Sequence, residues 1–190
     1  MRRMLVFLTV VMLVVAAAAI GTGRLHTSAQ EEAASLAGHP LVGTWLAMAP
    51  AGASPETFFA DGSFVASPPI IENGSNGVMF LSPLVGTWES TGARSGRFTA
   101  VQALSDESGA YTGTLTIDGH LQVSEDGHSF VDDSPETTLT FRDPANAVVA
   151  VISPYGEGSD GSIAPVTGTR MGAGSPGFPE ATAAATPPAA

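Results

Sequence analysis

Cysteine and lysine are both missing from this chain of 190 residues. Without cysteine no disulfide can staple the fold and no lipid can be attached at a lipobox, so the ordered part must be held by its own core. Without lysine, all seven cationic side chains are arginines, set against 18 carboxylates. Phosphate binding needs clustered basic residues, so this balance argues against nucleic acid as a partner and repels anionic lipid headgroups. A Gly-x-Ser-x-Gly nucleophile elbow, a phosphate-cradling glycine loop and a His-Glu-x-x-His helix are absent as well. Hydrolase and nucleotide chemistry are therefore unsupported, and no cofactor is implied.

The N-terminus carries Met1-Arg2-Arg3, then an uncharged, mostly apolar run from Met4 to Ile20, then small residues and Arg24. That order is the order of a secretion signal. Small residues at Ala17-Ala18-Ala19 and at Thr27-Ser28-Ala29 both suit a signal peptidase; cleavage after Ala29 is favoured, giving a signal peptide over 1–29 and a secreted or extracytoplasmic mature chain. The alternative is an uncleaved membrane anchor over residues 4–20, at the short end of what spans a bilayer. Membrane association is expected only in that case. Cleavage would remove Arg2, Arg3 and Arg24 and leave four arginines, for a net charge of about −14. Residues 30–39 read as a leader with at most a short helical turn. Residues 172–190 are almost wholly Gly, Ala, Pro, Ser and Thr, a composition that cannot bury enough apolar surface to offset ordering entropy, and read as a disordered tail. Residues 40–171 form one domain.

Within that domain Pro40-Leu41-Val42-Gly43-Thr44-Trp45 recurs letter for letter as Pro83-Leu84-Val85-Gly86-Thr87-Trp88, and the two copies hold the only tryptophans. Two copies are too few for a solenoid, so the repeat is read as two similar hairpins in one barrel or sandwich. β-Branched and aromatic residues come in short runs separated by Gly, Asp, Asn, Ser and Pro, the pattern of strands and turns. The run Tyr111-Thr112-Gly113-Thr114-Leu115-Thr116-Ile117 alternates cleanly. Asp61-Gly62, Asp118-Gly119 and Asp126-Gly127 are the strongest turn signals. Runs near 42–48, 55–60, 63–67, 77–81, 85–91, 96–105, 110–118, 120–124, 128–132, 136–142, 147–152 and 163–170 reduce, by merging, to about eight to ten strands. The expected class is all-β, an antiparallel up-and-down β-barrel, with a β-sandwich as the alternative.

Gly43-Thr44-Trp45 at the start of the first strand resembles the opening motif of lipocalins and the wider calycin barrels. The resemblance implies that the tryptophan plugs one end of a barrel and that an arginine near the last strand packs across its ring. Arg170, in Gly168-Thr169-Arg170-Met171, stands where that arginine would, which pairs Trp45 with Arg170 as barrel-closing residues. The lipocalin Thr-Asp-Tyr turn is missing, and Gly86-Thr87-Trp88 has no lipocalin counterpart. The second copy suggests a lipocalin-like barrel of another branch, resembling the allene oxide cyclase barrels.

Asp118-Gly119-His120 and Asp126-Gly127-His128, with Asp132-Asp133, hold imidazole and carboxylate groups of the kind that bind divalent metal, yet Asp-Gly is turn chemistry first, and no metal is assigned. Arg94 and Arg97 could grip a carboxylate or phosphate at a barrel mouth, or belong to a solvated loop. Asn73-Gly74-Ser75 matches a glycosylation acceptor.

The leading expectation is an exported barrel that binds a small apolar or amphipathic ligand, lined by Phe98, Tyr111, Leu115, Ile117, Leu139 and Phe141. A barrel cyclase or isomerase is the enzymatic alternative. It would need an acid or base inside, with Tyr111, Glu89 and Arg97 as the nearest candidates and a raised carboxyl pKa as its mark. A non-enzymatic interaction scaffold is the third reading, with an exposed apolar patch as its signature.

Overall fold

The computed structural model describes residues 36–74, 77–159 and 161–172. The signal segment, most of the leader, Ser75 of the glycosylation motif and nearly all of the tail lie outside the described residues. Among the described residues no helix is long and apolar enough to cross a membrane.

The described chain is a succession of strands. Strands β1 (Gly43–Ala49) and β2 (Gly52–Phe58) form a hairpin, followed by β3 (Ser63–Ala66) and a short ribbon of β4 (Ile71–Gly74) and β5 (Gly77–Leu81). A second hairpin, β6 (Leu84–Ser90) and β7 (Ser95–Ser105), leads into β8 (Tyr111–Val123). The strands β9 (Ser129–Asp132), β10 (Thr138–Arg142), β11 (Val148–Ile152) and β12 (Val166–Met171) complete it. Each Gly-Thr-Trp copy thus opens one antiparallel hairpin, β1–β2 and β6–β7.

Spatial neighbours run β8, β9, β12, β1, β2, β3, β6, β7, and β7 pairs back onto β8, which closes an eight-stranded antiparallel barrel. The expected class and barrel therefore stand, and the sandwich alternative falls because the sheet closes on itself. In chain order the barrel strands β1, β2, β3, β6, β7, β8, β9 and β12 each pair with the next and β12 closes on β1, an up-and-down barrel into which β4–β5 and β10–β11 are inserted. β7 and β8 overrun the barrel. They pair from Ser95 with Gln122 to Ser105 with Tyr111, and their far ends carry β10 and β11 on one side and β5 and β4 on the other.

The overrun corrects one sequence expectation. Asp118-Gly119 is no turn but lies inside β8, where Thr99 faces Asp118 and Phe98 faces Gly119 across the ladder. A Cβ on Gly119 would stand 2.2 Å from Phe98 Cε1, so the glycine is a seat for the ring. Gly168 serves Phe130 in the same way, at 2.1 Å. Asp61-Gly62 and Asp126-Gly127 are turns, with Gly62 at φ 84° and Gly127 at φ 72°, a backbone region that glycine enters without steric cost. The strand β4 was not among the expected runs.

Large side chains fill the closed end of the barrel. Trp45, Phe58, Phe64, Trp88, Phe98 and Phe130 form one buried cluster with Leu41, Leu121 and Val123. Ring centroids lie 4.5 Å apart for Phe64 and Phe98, 4.7 Å for Phe58 and Phe64, and 5.2 Å for Trp45 and Phe130. Burying a side chain such as Phe or Leu stabilises by about 1.5–3 kcal/mol, and this cluster replaces the missing disulfides. The leader joins it: Leu36 is buried, and the turn after it closes through His39 N–H donating to Leu36 O at 2.8 Å.

Candidate functional site

The first tryptophan is held on every side. The Trp45 indole N–H donates to Leu41 O at 2.8 Å, and the Arg170 guanidinium carbon lies 4.1 Å above the ring centroid. Arg170 also donates from Nε to Gly127 O at 2.7 Å, from Nη1 to Val42 O at 2.9 Å, and from Nη2 to Pro40 O. Gly43 makes room for it, because a Cβ there would sit 2.7 Å from Arg170 Nη1. A guanidinium over an indole contributes about 0.5–2 kcal/mol, and the three carbonyls anchor it to the chain on both sides of the barrel seam.

Trp88 repeats the motif with other partners. Its N–H donates to Phe59 O at 2.8 Å, and the ring beside it is His39, 5.4 Å between centroids. Leu41 N–H donates to His39 Nδ1 at 3.1 Å, so Nε2 carries the proton and donates to Gly92 O at 2.9 Å. Gly86 is required for a different reason from Gly43: a Cβ there would meet Thr99 O at 2.0 Å.

Past this aromatic floor the interior changes character. Alternation along β2 puts Ser54, Glu56 and Phe58 on one face, and the burial of Phe58 makes that face the inner one. Along β9, Phe130 and Asp132 share the inner face. Across the ladder Ser54 faces Ala47, and Glu56 stands between the small Ala66 on one side and the Trp45 indole on the other.

Two carboxyls therefore point inward. Glu56 is only partly covered as a whole residue, yet loss of solvation, with the Asp132 charge adding to it, raises its carboxyl to about 8. Asp132 is also held above the ordinary carboxylate range, by burial first. Its hydrogen bonds work against that rise: Thr137 Oγ1 donates to Oδ1 at 2.6 Å, and His120 N–H to Oδ2 at 3.2 Å. Tyr155, from the β11–β12 connection, has its phenol raised by burial and then by the Asp132 charge. Ser54 is 4 % exposed, and its hydroxyl has no hydrogen-bond partner.

The residues expected to line a ligand site scatter. Phe98 belongs to the aromatic floor, and Ile117 packs against the core. Leu139 lies opposite Ile117 and Phe141 opposite Leu115, so these four share one face of the sheet where it leaves the barrel. Tyr111 is 51 % exposed at the end of β8. The candidates for an interior acid or base lie elsewhere too: Glu89 and Arg97 form an exposed pair at 2.7 Å. Arg94 faces Glu125 at 3.8 Å, so each arginine of the suspected anion grip already has a carboxylate beside it. Arg94 and Glu125 border a surface groove of about 610 Å³ that also takes in Gln122, Ser129 and Thr167. His120 pairs with Glu136 at 3.4 Å, and among the described residues no three metal-ligating groups gather.

Of the interior acids, Glu56 was not singled out from sequence, and Asp132 was named only beside the Asp-Gly-His turns, not as an interior group. Spacing places them only once the structure shows which phenylalanine is buried: each stands two residues from Phe58 or Phe130 and so shares its face.

Fold and site together define a closed antiparallel barrel with an aromatic floor and an acidic interior. No protein-family model matches the chain, and neither a curated protein nor a solved structure matches it.

Proposed function

We propose that this chain is an exported barrel that binds one small amphipathic molecule inside. The apolar body of the ligand lies toward the aromatic floor and its polar end toward Glu56. One observation carries this reading: the inner face beyond the floor holds a carboxyl and a hydroxyl that no described residue engages by a hydrogen bond, among small side chains such as Ala47 and Ala66. Burying polar groups without partners costs free energy, and a bound polar end group would recover it. The shape argument comes from the lipocalin-like architecture, in which an eight-stranded barrel is wide enough to hold one small ligand.

The test is native mass spectrometry of the secreted full chain before and after denaturation. A reproducible extra mass released by unfolding is expected. A bare polypeptide mass, repeated after incubation with extracts of apolar metabolites, sinks the reading.

The enzymatic reading has an observation of its own. A carboxyl held at about 8 keeps its proton near neutrality and can act as a general acid, as a barrel cyclase or isomerase on an apolar substrate would need. Under this reading Glu56 is the proton donor, its proton held there first by loss of solvation and then by the Asp132 charge. The scaffold reading draws on β11, where Val148, Val149, Val151 and Ile152 are all exposed at the sheet edge.

A further inference from the structure

We propose that the polar end group taken by the Glu56 and Asp132 site is an amine, so that the ligand class is an apolar molecule ending in an ammonium. This rests on the ligand-binding reading above and narrows it.

The argument begins with what lies near the two carboxyls and what does not. Glu56 and Asp132 feel each other's charge, and Asp132 is also within the field of His120 and Tyr155. His120 Nδ1 is turned to Glu136, and Asp133 adds a further negative charge near Tyr155. No arginine of the described chain reaches the pair. Arg94 and Arg97 face Glu125 and Glu89, Arg142 donates to Asn146 O, and Arg170 is spent on Trp45 and three carbonyls. The site is thus acidic with no resident guanidinium, and a ligand can supply the missing positive charge.

The second observation is independent of charge. Ser54 is 4 % exposed, its hydroxyl has no partner, and it stands two residues from Glu56 on the same inner face of β2. An ammonium has three donors and no acceptor, so it can serve the Glu56 carboxylate and the Ser54 oxygen at once. A carboxylate head group would instead meet two acids. A hydroxyl head would satisfy hydrogen bonds but leave the charge deficit in place.

Capture of an amine has a proton signature. Glu56, raised to about 8, keeps its proton near neutrality, and an adjacent ammonium favours the ionised carboxyl. Binding therefore expels that proton to solvent.

The test uses the full chain at neutral pH and raised ionic strength, titrated calorimetrically with decylamine, decanol and decanoate in buffers of different ionisation enthalpy. Decylamine is expected to bind about tenfold or more tightly than decanol, with release of close to one proton, while decanoate does not bind. Glu56→Gln should reduce the preference for amine over alcohol to about twofold and abolish proton release. Glu107→Gln, which removes one exposed carboxylate, should leave both unchanged. Equal binding of decanol and decylamine overturns the amine assignment but leaves the ligand-binding reading intact. Amine binding indifferent to Glu56→Gln, or without proton release, assigns it to the acidic surface and overturns the proposal. Failure of all three probes overturns the amine class together with the reading on which it rests.

Discussion

The carboxylates at the hairpin turns and those inside the barrel are the same chemical group pushed in opposite directions. Asp61, Asp106 and Asp126 sit at turns, where serine hydroxyls and backbone N–H groups donate to them. Asp61 Oδ1 accepts from Ser63 Oγ and Ser63 N, Asp106 Oδ1 from Ser108 and Ala110, and Asp126 Oδ1 from Ser124 and His128. Those bonds hold all three below the usual aspartate value. Glu56 and Asp132 lose water instead and are held above it. Turn acids are placed to be charged. The interior acids are placed at a cost when charged, and such a cost marks a site better than acidity does, because this chain is acidic nearly everywhere.

The contrast can be broken most strongly at Glu56. Its folded value of about 8 exceeds its unfolded value, so the native state holds a proton that the unfolded chain gives up. Stability therefore falls as pH rises from the unfolded value toward 8, and levels off beyond it. Glu56→Gln should remove that slope and raise stability above pH 8 by on the order of 4 kcal/mol, measured by denaturant titration at several pH values.

A smaller and opposite effect is expected at Asp132. Asp132→Ala strands the Thr137 hydroxyl and the His120 N–H and should destabilise by about 1–3 kcal/mol at pH 5. The same change withdraws a charge from Glu56, so the pH-dependent fall described above should end at a lower pH and shrink. An unchanged slope would mean that the two carboxyls do not sense each other.

The smallest effect belongs to the turns. Asp61→Ala or Asp126→Ala should lower the melting temperature slightly at neutral pH. That loss should fade as pH drops below the aspartate pKa, since stability from a lowered carboxyl pKa is present only while the group is ionised. A loss that persists in acid would assign the role to turn geometry alone.

Strands were legible wherever one face meets the core, because period-two alternation then appears in the letters themselves, as in β7, where Phe98, Ala100, Gln102 and Leu104 are buried and their neighbours exposed. Asp118-Gly119 misled because local turn propensity competes with a tertiary need, here the seat of the Phe98 ring. β4 escaped because Ile71-Glu72-Asn73-Gly74 is short, polar and at the sheet edge, where no alternation is imposed. Trp45 and Arg170 could be paired because a motif and a chain position pointed to both. Glu56 could not be placed, since adjacent Phe58 and Phe59 let either face of β2 be the inner one until barrel closure decides.

That closure sets a timetable for folding. β1 and β12 are joined along a seam whose arginine clamp links residues 128 apart in the chain. Contacts of such long sequence separation slow folding, because loop entropy is lost before they form. Early in synthesis the first tryptophan has its hairpin but lacks its guanidinium, and the inner faces of β1 and β2 stay uncovered until the last strand arrives. The final latch thus lies at the C-terminal end of the barrel, so the barrel cannot close before that end has been made.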